Sequence, residues 1–274
     1  TYCLENHLTS IQKIIRFYKK KNEILSNVAI KSILFQTLLA IDHLHSRNIA
    51  HCNLVPSSLV LAPQTERIPG ILKILDLGFS RIMKESSSKS LNMVHPWYRA
   101  PEIMLGVSSY YKSIDICAVG CVFAELLTGS IIFGSKKKEN NGEPNPIPTG
   151  EYNSSQLMII ASILGPITAN DCAHPQNCRF LQQFLRIQPP NLQNTLATLV
   201  NTTPDAFDLL SRMLTYNHLR RITAHDALQH QYFCNEPYCA TNIVSLFPKK
   251  DLDSLMKQQH LQQTHYPNRT PSAE

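Results

Sequence analysis

Glycine is scarce in this sequence, which has 9 glycines against 17 prolines in 274 residues. A chain of this length with average composition, about 7% glycine, carries roughly twice as many. Loops that wrap phosphate groups depend on glycine, because their backbone N–H groups must approach the ligand closely. The shortage therefore argues against a glycine-rich phosphate loop within these residues.

Long apolar runs, a secretory signal and closely paired cysteines are also missing. No apolar run approaches the roughly 18 residues of a membrane-spanning helix, and residues 1–5 have neither a basic nor an apolar signal region. The 8 cysteines contain no C-x-x-C pair, so we expect reduced thiols in a protein that is not secreted. The sequence also lacks an initiator Met, which we interpret as truncation.

The composition that is present favours a folded domain. Apolar residues make up 43% of the chain and charged residues 17%, whereas disordered chains have fewer of the first and more of the second. The net charge of +6 is modest and does not predict direct binding to nucleic acid.

Apolar periodicity predicts a mainly helical chain with two short strands. The predicted helices are 8–20, 113–128, 154–164, 205–215 and 223–230, together with a long helix that Ser26 or Asn27 caps and that ends near residues 46–48. The two predicted strands are 58–61 and 71–75. Residues 76–112 have no strong period. We expect a surface insertion at 134–153 and a polar, loosely attached tail at 236–274.

Three short motifs carry chemistry in this order along the chain. His51-Cys52-Asn53 follows a helix, Asp76-Leu77-Gly78 follows the second strand, and Ala100-Pro101-Glu102 closes the long segment. Each triplet is weak alone, but their order and spacing match the H-R-D, D-F-G and A-P-E motifs of protein kinases. Asp115, five residues before Gly120, and the run Arg221-Ile222-Thr223 extend the match.

The chain therefore resembles the large lobe of a protein kinase, from the hinge to the final helix. The resemblance implies a mainly α fold of the α+β kinase family, with a small β hairpin, and we expect the small lobe to be absent. It divides the chain into a hinge-like segment at 1–8, the lobe at 9–235 and the tail. By resemblance, Cys3 and Leu4 are the hinge residues that face a nucleotide.

Details of the sequence are similar to the cyclin-dependent kinases. Trp97-Tyr98-Arg99 before the Ala-Pro-Glu triplet is typical of them. Residues 5–8, the long hairpin loop at 66–70 and residues 123–128 look like the Mediator-associated kinases that bind a C-type cyclin.

Five positions depart from the family pattern in the region of the catalytic loop. The base position is Asn53, the position of the loop Lys is Val55, and the metal-binding Asn is replaced by Ser58. Cys52 stands where the family has Arg, and His95 where it has Thr. Because an amide does not accept a proton near neutral pH, we expect phosphoryl transfer to be absent or severely reduced.

Other matched positions keep the residues of the family. Asp76 is the expected metal ligand, and His51 is expected to hold the loop rather than to react. The resemblance implies structural roles for four more residues, namely a buried ion pair between Glu102 and Arg221, a loop-fixing Asp115, and Arg99. The resemblance implies ATP and Mg²⁺ as cofactors, and the departures put their binding in doubt.

The run Val28-Ala29-Ile30-Lys31 spells the strand motif that carries the phosphate-binding Lys of kinases. It lies within a predicted helix shortly before His51, whereas the family places this strand before the hinge. We interpret Lys31 as a lysine on a helix surface with no role toward ATP.

These observations predict a transcription-linked homologue of the cyclin-dependent Ser/Thr kinases that is a pseudokinase and acts by binding. The resemblance implies a cyclin-type subunit and a Mediator-like complex as partners, the RNA polymerase II tail among the substrates, and a nuclear, otherwise cytoplasmic, location. Two alternatives remain: an active kinase that tolerates Asn53 and has its small lobe upstream, and a relic that does not fold alone.

Overall fold

The computed structural model describes residues 9–63, 65, 70–82, 95–107, 112–134, 152–172, 175–189 and 191–255. The expectations for the hinge-like segment, the hairpin loop, the insertion and the end of the tail fall largely or wholly outside these residues. All elements of the fold named here lie within the described part of the chain.

Helices dominate this part of the chain. They are α1 (Ile11–Lys20), α2 (Asn27–Ser46), α3 (Pro101–Met104), α4 (Ser113–Thr128), α5 (Tyr152–Leu164), α6 (Leu181–Ile187), α7 (Leu196–Leu199), α8 (Pro204–Met213), α9 (Ala224–Leu228) and α10 (Gln231–Cys234). None of the described helices is long and apolar enough to span a bilayer. The sequence located the longer ones to within a few residues.

Helix ends follow from capping residues. The side chain of Ser10 accepts from Lys13 N–H at the start of α1, and Ser26 accepts from Ala29 N–H at the start of α2. At the end of α4, Gly129 adopts φ 65° and donates its N–H to the carbonyl of Glu125. Glycine adopts this left-handed conformation without strain, so the helix ends at this residue.

Helix α4 forms the centre of the core. It is buried on nearly all sides and packs against α2 and α8. A Cβ at Gly120 would lie 2.9 Å from Leu214 Cδ2 and 3.0 Å from Met213 Cβ. The absence of a side chain at Gly120 therefore allows the chain at the end of α8 to approach α4 closely.

The strands form two small antiparallel sheets. Strands β1 (Thr9–Ser10), β3 (Leu59–Ala62) and β4 (Ile71–Ile74) make a three-stranded sheet in the order β1-β3-β4. Strand β2 (Ile49–Ala50) pairs with β5 (Arg81–Ile82). The sequence predicted the β3–β4 hairpin but missed β1, β2 and β5.

The opening strand is the first observation against the predicted fold class, a large lobe without its small lobe. Thr9 lies opposite Leu61, so the first described residues already belong to a sheet. A strand needs partners for its backbone N–H and C=O groups and does not need glycine. The low glycine content therefore does not exclude a sheet near the start of the chain.

The segment after residue 235 is packed against the body and is not loosely attached as far as residue 255. Ile243, Phe247 and Leu255 are buried in the core, and Ile243 donates its N–H to the carbonyl of Gly70. Residues 249–255 are helical. The polar composition of the segment did not predict this packing, because only a few apolar residues contact the core.

Lys31 is buried rather than on a helix surface, so our interpretation of its position is wrong. Its side chain crosses the ring of Tyr232, with Nζ 4.7 Å from the centroid. Nζ donates to the carbonyl of Asn235 at 2.7 Å, just beyond α10. Burial lowers the pKa of Lys31. These contacts tie α2 to the end of α10.

The contact between Asp251 and α1 gives a pH-dependent prediction. Lys21 Nζ donates to Asp251 Oδ1 at 2.7 Å, and the Tyr18 hydroxyl donates to Oδ2 at 3.2 Å. The hydrogen bond from Lys21 is the main reason that the pKa of Asp251 is lowered. A lowered carboxyl pKa stabilises the fold above the unfolded-state value of about 4, and this stabilisation is lost as the pH falls toward the folded-state pKa.

We therefore expect Asp251→Asn to lower the free energy of unfolding by about 1 kcal/mol at pH 7, and by less as the solution becomes more acidic than about pH 4. Urea unfolding at a series of pH values measures this. Asp253→Asn, in the same helical segment, is the control and should have little effect. Equal, pH-independent losses in both variants would contradict the prediction.

Candidate functional site

The loop after α2 is held by the carboxylate of Asp115, which is 1% exposed. Its Oδ2 accepts from His51 N–H at 2.8 Å, and its Oδ1 accepts from Cys52 N–H at 2.9 Å. Nε2 of His45 lies 2.9 Å from Oδ2. Cys52 has φ 66°, so the carboxylate holds a left-handed turn that this residue type seldom adopts. Asp115 thus sets the course of the loop.

The side chain of His51 joins the loop to the segment after β4. The ring is fully buried, with Nε2 3.0 Å from the carbonyl of Leu75 and Nδ1 accepting from Asn53 N–H at 3.3 Å. A carbonyl only accepts and an N–H only donates, so both contacts require the neutral tautomer with its proton on Nε2. In this form His51 positions the backbone beside Asn53.

Asn53 and Asp76 are in direct contact at the mouth of the loop. Asn53 Nδ2 donates to Asp76 Oδ2 at 3.1 Å, and Asp76 is held at φ 68° and ψ 50°. The pair therefore presents one carboxylate, and the amide that faces it is a neutral donor. This arrangement offers no group at position 53 that takes a proton near neutral pH.

Val55 and Ser58 form a closed turn. Ser58 Oγ donates to the carbonyl of Val55 at 2.8 Å and accepts from Val55 N–H at 3.1 Å. Ser58 is 4% exposed, and its own carbonyl accepts from Leu75 N–H. The turn is satisfied by its own groups, and Val55 brings no positive charge to it.

Cys52 contributes no positive charge where the family has Arg. Burial, reinforced by the nearby Asp115, raises the pKa of Cys52 to about 12, so this thiol stays neutral. The ring of His95 packs against Trp97 at a centroid distance of 4.5 Å and an angle of 53° between the ring planes. Arg99 is buried in the same segment.

Glu102 and Arg221 form a two-pronged ion pair in the core. Arg221 Nη1 donates to Oε1 at 2.7 Å and Nη2 donates to Oε2 at 2.9 Å. Arg221 also donates to the carbonyls of Thr215, Ser113 and Tyr216. Burial alone lowers the pKa of Arg221, but the charge of Glu102 outweighs it and the net direction is upward. The guanidinium therefore stays charged and links α3, α4 and the segment after α8.

The structure brings most of the predicted site residues into two groups. His51, Asn53, Val55, Ser58 and Asp76 lie in one hydrogen-bonded loop cluster above Asp115. The roles assigned to them stay predictions, as do those of Glu102 and Arg221 in the second group. Cys3 and Leu4 lie outside the described residues.

Sequence reasoning missed two residues that support the loop. His45 contacts Asp115 from the last turn of α2, and Lys112 Nζ donates to the carbonyl of His45 at 2.9 Å and to Asn48 Oδ1 at 3.1 Å. A polar His at a buried helix position is a weak signal for His45, and the sequence has no signal for Lys112.

The chain matches the family model described as "Protein kinase domain" over residues 2–233. It is 35% identical over 243 residues to cyclin-dependent kinase E-1 of Arabidopsis thaliana, covering 85% of this chain and 49% of that protein. It is 34% identical to the probable cyclin-dependent kinase 8 of Dictyostelium discoideum, covering 85% and 60%, and 32% identical to cyclin-dependent kinase 7 of Caenorhabditis elegans, covering 89% and 70%. This chain thus spans only about half to two-thirds of the length of these relatives.

The fold is similar to a chain in the crystal structure of the yeast RNA Pol II CTD kinase CTDK-1 complex. The TM-score is 0.70 at 24% identity, and the likeness covers 85% of this chain and 70% of that one. At this identity the likeness concerns the fold alone.

These findings overturn the predicted absence of the small lobe, and that part of the fold-class prediction is wrong. The family match already begins at residue 2, and the first described strand belongs to a three-stranded sheet. Missing glycines and missing local motifs are poor evidence for a missing lobe, because a sheet is built from backbone pairing that short motifs do not encode.

The buried ion pair predicts a large difference between two arginines. Arg221→Gln leaves the carboxylate of Glu102 buried without its counter-charge, so we expect a loss of about 3–5 kcal/mol in unfolding free energy. Arg212→Gln removes one of the two partners of Asp208, in an exposed pair, and should cost less than about 1 kcal/mol. Urea unfolding of both variants measures the two losses, and similar values would contradict the prediction.

Proposed function

Because the chain belongs to the protein kinase family, we propose that it is a catalytically impaired homologue of the cyclin-dependent Ser/Thr kinases that acts by binding partners. The family transfers the γ-phosphate of ATP to a Ser or Thr hydroxyl. That reaction depends mostly on positioning and on charge stabilisation, with a carboxylate that accepts the hydroxyl proton.

The observation that carries this proposal is the contact between Asn53 and Asp76. At the base position the chain has an amide, and its N–H donates to the one remaining carboxylate. An amide does not take a proton near neutral pH, so the contribution of a general base, typically 10²–10⁴-fold in rate, is missing. Val55 removes in addition the positive charge that the family places near the transferred phosphate.

The contacts that fix the loop support a binding role. Asp115 and the Glu102–Arg221 pair hold the loop and the core through hydrogen bonds that do not involve Asn53, Val55 or Ser58. A chain with this pattern keeps a defined surface while it loses the chemistry. We propose that this surface joins a cyclin-type subunit in a Mediator-like transcription complex in the nucleus, as the likeness to cyclin-dependent kinase 8 suggests.

An active kinase that tolerates Asn53 is the second candidate. The retained Asp76, in a left-handed conformation directly before Leu77 and Gly78, favours it. If the chain is impaired, phosphate transfer requires the family residues to be restored at the positions that differ. If the chain is an active kinase, it transfers phosphate without those changes.

We expect the chain as it stands to show only background transfer of the ATP γ-phosphate to a Ser-Pro-rich peptide of the RNA polymerase II tail type. The triple variant Asn53→Asp/Val55→Lys/Ser58→Asn should be faster by at least about 100-fold, because it restores the base and the charge. Radiolabelled phosphate incorporation measures the rates.

The matched control is Asn48→Asp/Val55→Lys/Ser57→Asn, which adds the same groups with the carboxylate and amide displaced from the loop cluster. It should remain at background. A wild-type rate equal to that of the triple variant, and abolished by Asp76→Asn, would favour the active kinase.

A further inference from the structure

The two family positions that hold Mg²⁺ are Asp76 and Ser58 in this chain. Metal binding at these positions is separate from the proposed function, because a chain without a general base can still bind a metal. The donor atoms of Asp76 and Ser58 decide whether a cation is held there.

The hydroxyl of Ser58 is already engaged. Its single proton goes to the carbonyl of Val55, and one lone pair accepts from Val55 N–H. The residue is almost fully buried. A hydroxyl has one donor and two acceptor sites, so only one lone pair is left on a side chain that is 4% exposed. The Ser58 hydroxyl is therefore a poor metal ligand in this turn.

The carboxylate of Asp76 is engaged by an amide rather than joined by a second carboxylate. Asn53 Nδ2 donates to Oδ2 and so supplies partial positive charge where a cation would otherwise supply it. Mg²⁺ requires an octahedral set of oxygen ligands and is usually held by one or two carboxylates together with phosphate oxygens. The site has the single carboxylate of Asp76, one oxygen of which already accepts from Asn53, and the amide N–H that faces it is not a ligand.

The described residues offer no cluster of metal-ligating side chains to supplement Asp76. Within the part of the chain that the structure describes, no three His, Cys, Asp or Glu side chains are placed together so that they could hold a metal ion. The residues present therefore do not fit the Mg²⁺ that the family implies.

We infer that the loop cluster does not hold a divalent cation, and that the amide of Asn53 and the closed Ser58 turn take the place of metal coordination. The loop is then complete without a cation. Any nucleotide that binds this chain binds it independently of Mg²⁺.

Thermal unfolding of the full chain tests this inference with two probes, Mg²⁺ alone and Mg²⁺ with ADP, each compared with EDTA. A ligand that binds the folded state raises the Tm. We expect the same Tm in Mg²⁺ and in EDTA for the wild type, with or without ADP. A Mg²⁺-dependent rise in the wild type that disappears in Asp76→Asn would overturn the inference.

A rescue variant tests the assignment to Asn53 and Ser58. With ADP present, Asn53→Asp/Ser58→Asn should gain a Mg²⁺-dependent rise in Tm of a few degrees. Asn53→Asp/Ser57→Asn, with its amide on the exposed neighbour of the turn, should gain less.

A rescue variant that unfolds cooperatively and gains no Mg²⁺-dependent rise in Tm would overturn the assignment. If that variant does not fold, the comparison of wild type with Asp76→Asn still decides. The Tm shifts measure metal binding and not phosphate transfer, so they can contradict this inference whatever the kinase assay shows.

Discussion

The carboxylate of Asp115 joins three parts of the molecule at one buried point. From α4 it accepts the N–H groups of His51 and Cys52 and contacts the ring of His45 on α2. A buried carboxylate is tolerated only when such donors surround it, and two backbone N–H groups in a left-handed turn would otherwise lack partners. The loop therefore takes its course from a contact beneath it, and that contact involves none of the side chains at its mouth.

The proposed function requires this separation, because the chemistry at the mouth can then change while the shape of the loop is kept. At the mouth, Asn53 donates to Asp76, and Ser58 closes the turn with Val55. Each neutral side chain completes a hydrogen bond within the chain, so no ligand is needed to satisfy the loop. Further into the core, Arg221 binds Glu102 and three carbonyls, and this network also contains none of the altered residues. The proposed binding function rests on that independence.

The sequence predicted those features that local patterns encode. Apolar periodicity and caps located α2 and α4, and the resemblance predicted that Glu102 and Arg221 would meet. It did not predict the two-residue strand β1, because pairing of Thr9 with Leu61 depends on contacts distant in sequence. The sequence also did not predict the burial of Lys31 or the docking of residues 236–255. A long polar side chain or a polar segment can cover the core through a few contacts that periodicity does not show. The absence of the small lobe was predicted from a low glycine content and from missing local motifs, and neither of these reports topology.

Differential scanning calorimetry of the wild-type chain in EDTA, without nucleotide or partner, tests the central claim most directly. The claim is that buried hydrogen bonds around Asp115 and Arg221 hold the fold without a ligand. It predicts one cooperative transition whose calorimetric and van't Hoff enthalpies agree. A chain that shows no cooperative transition in EDTA, and gains one only when Mg²⁺ and ATP are added, would contradict it.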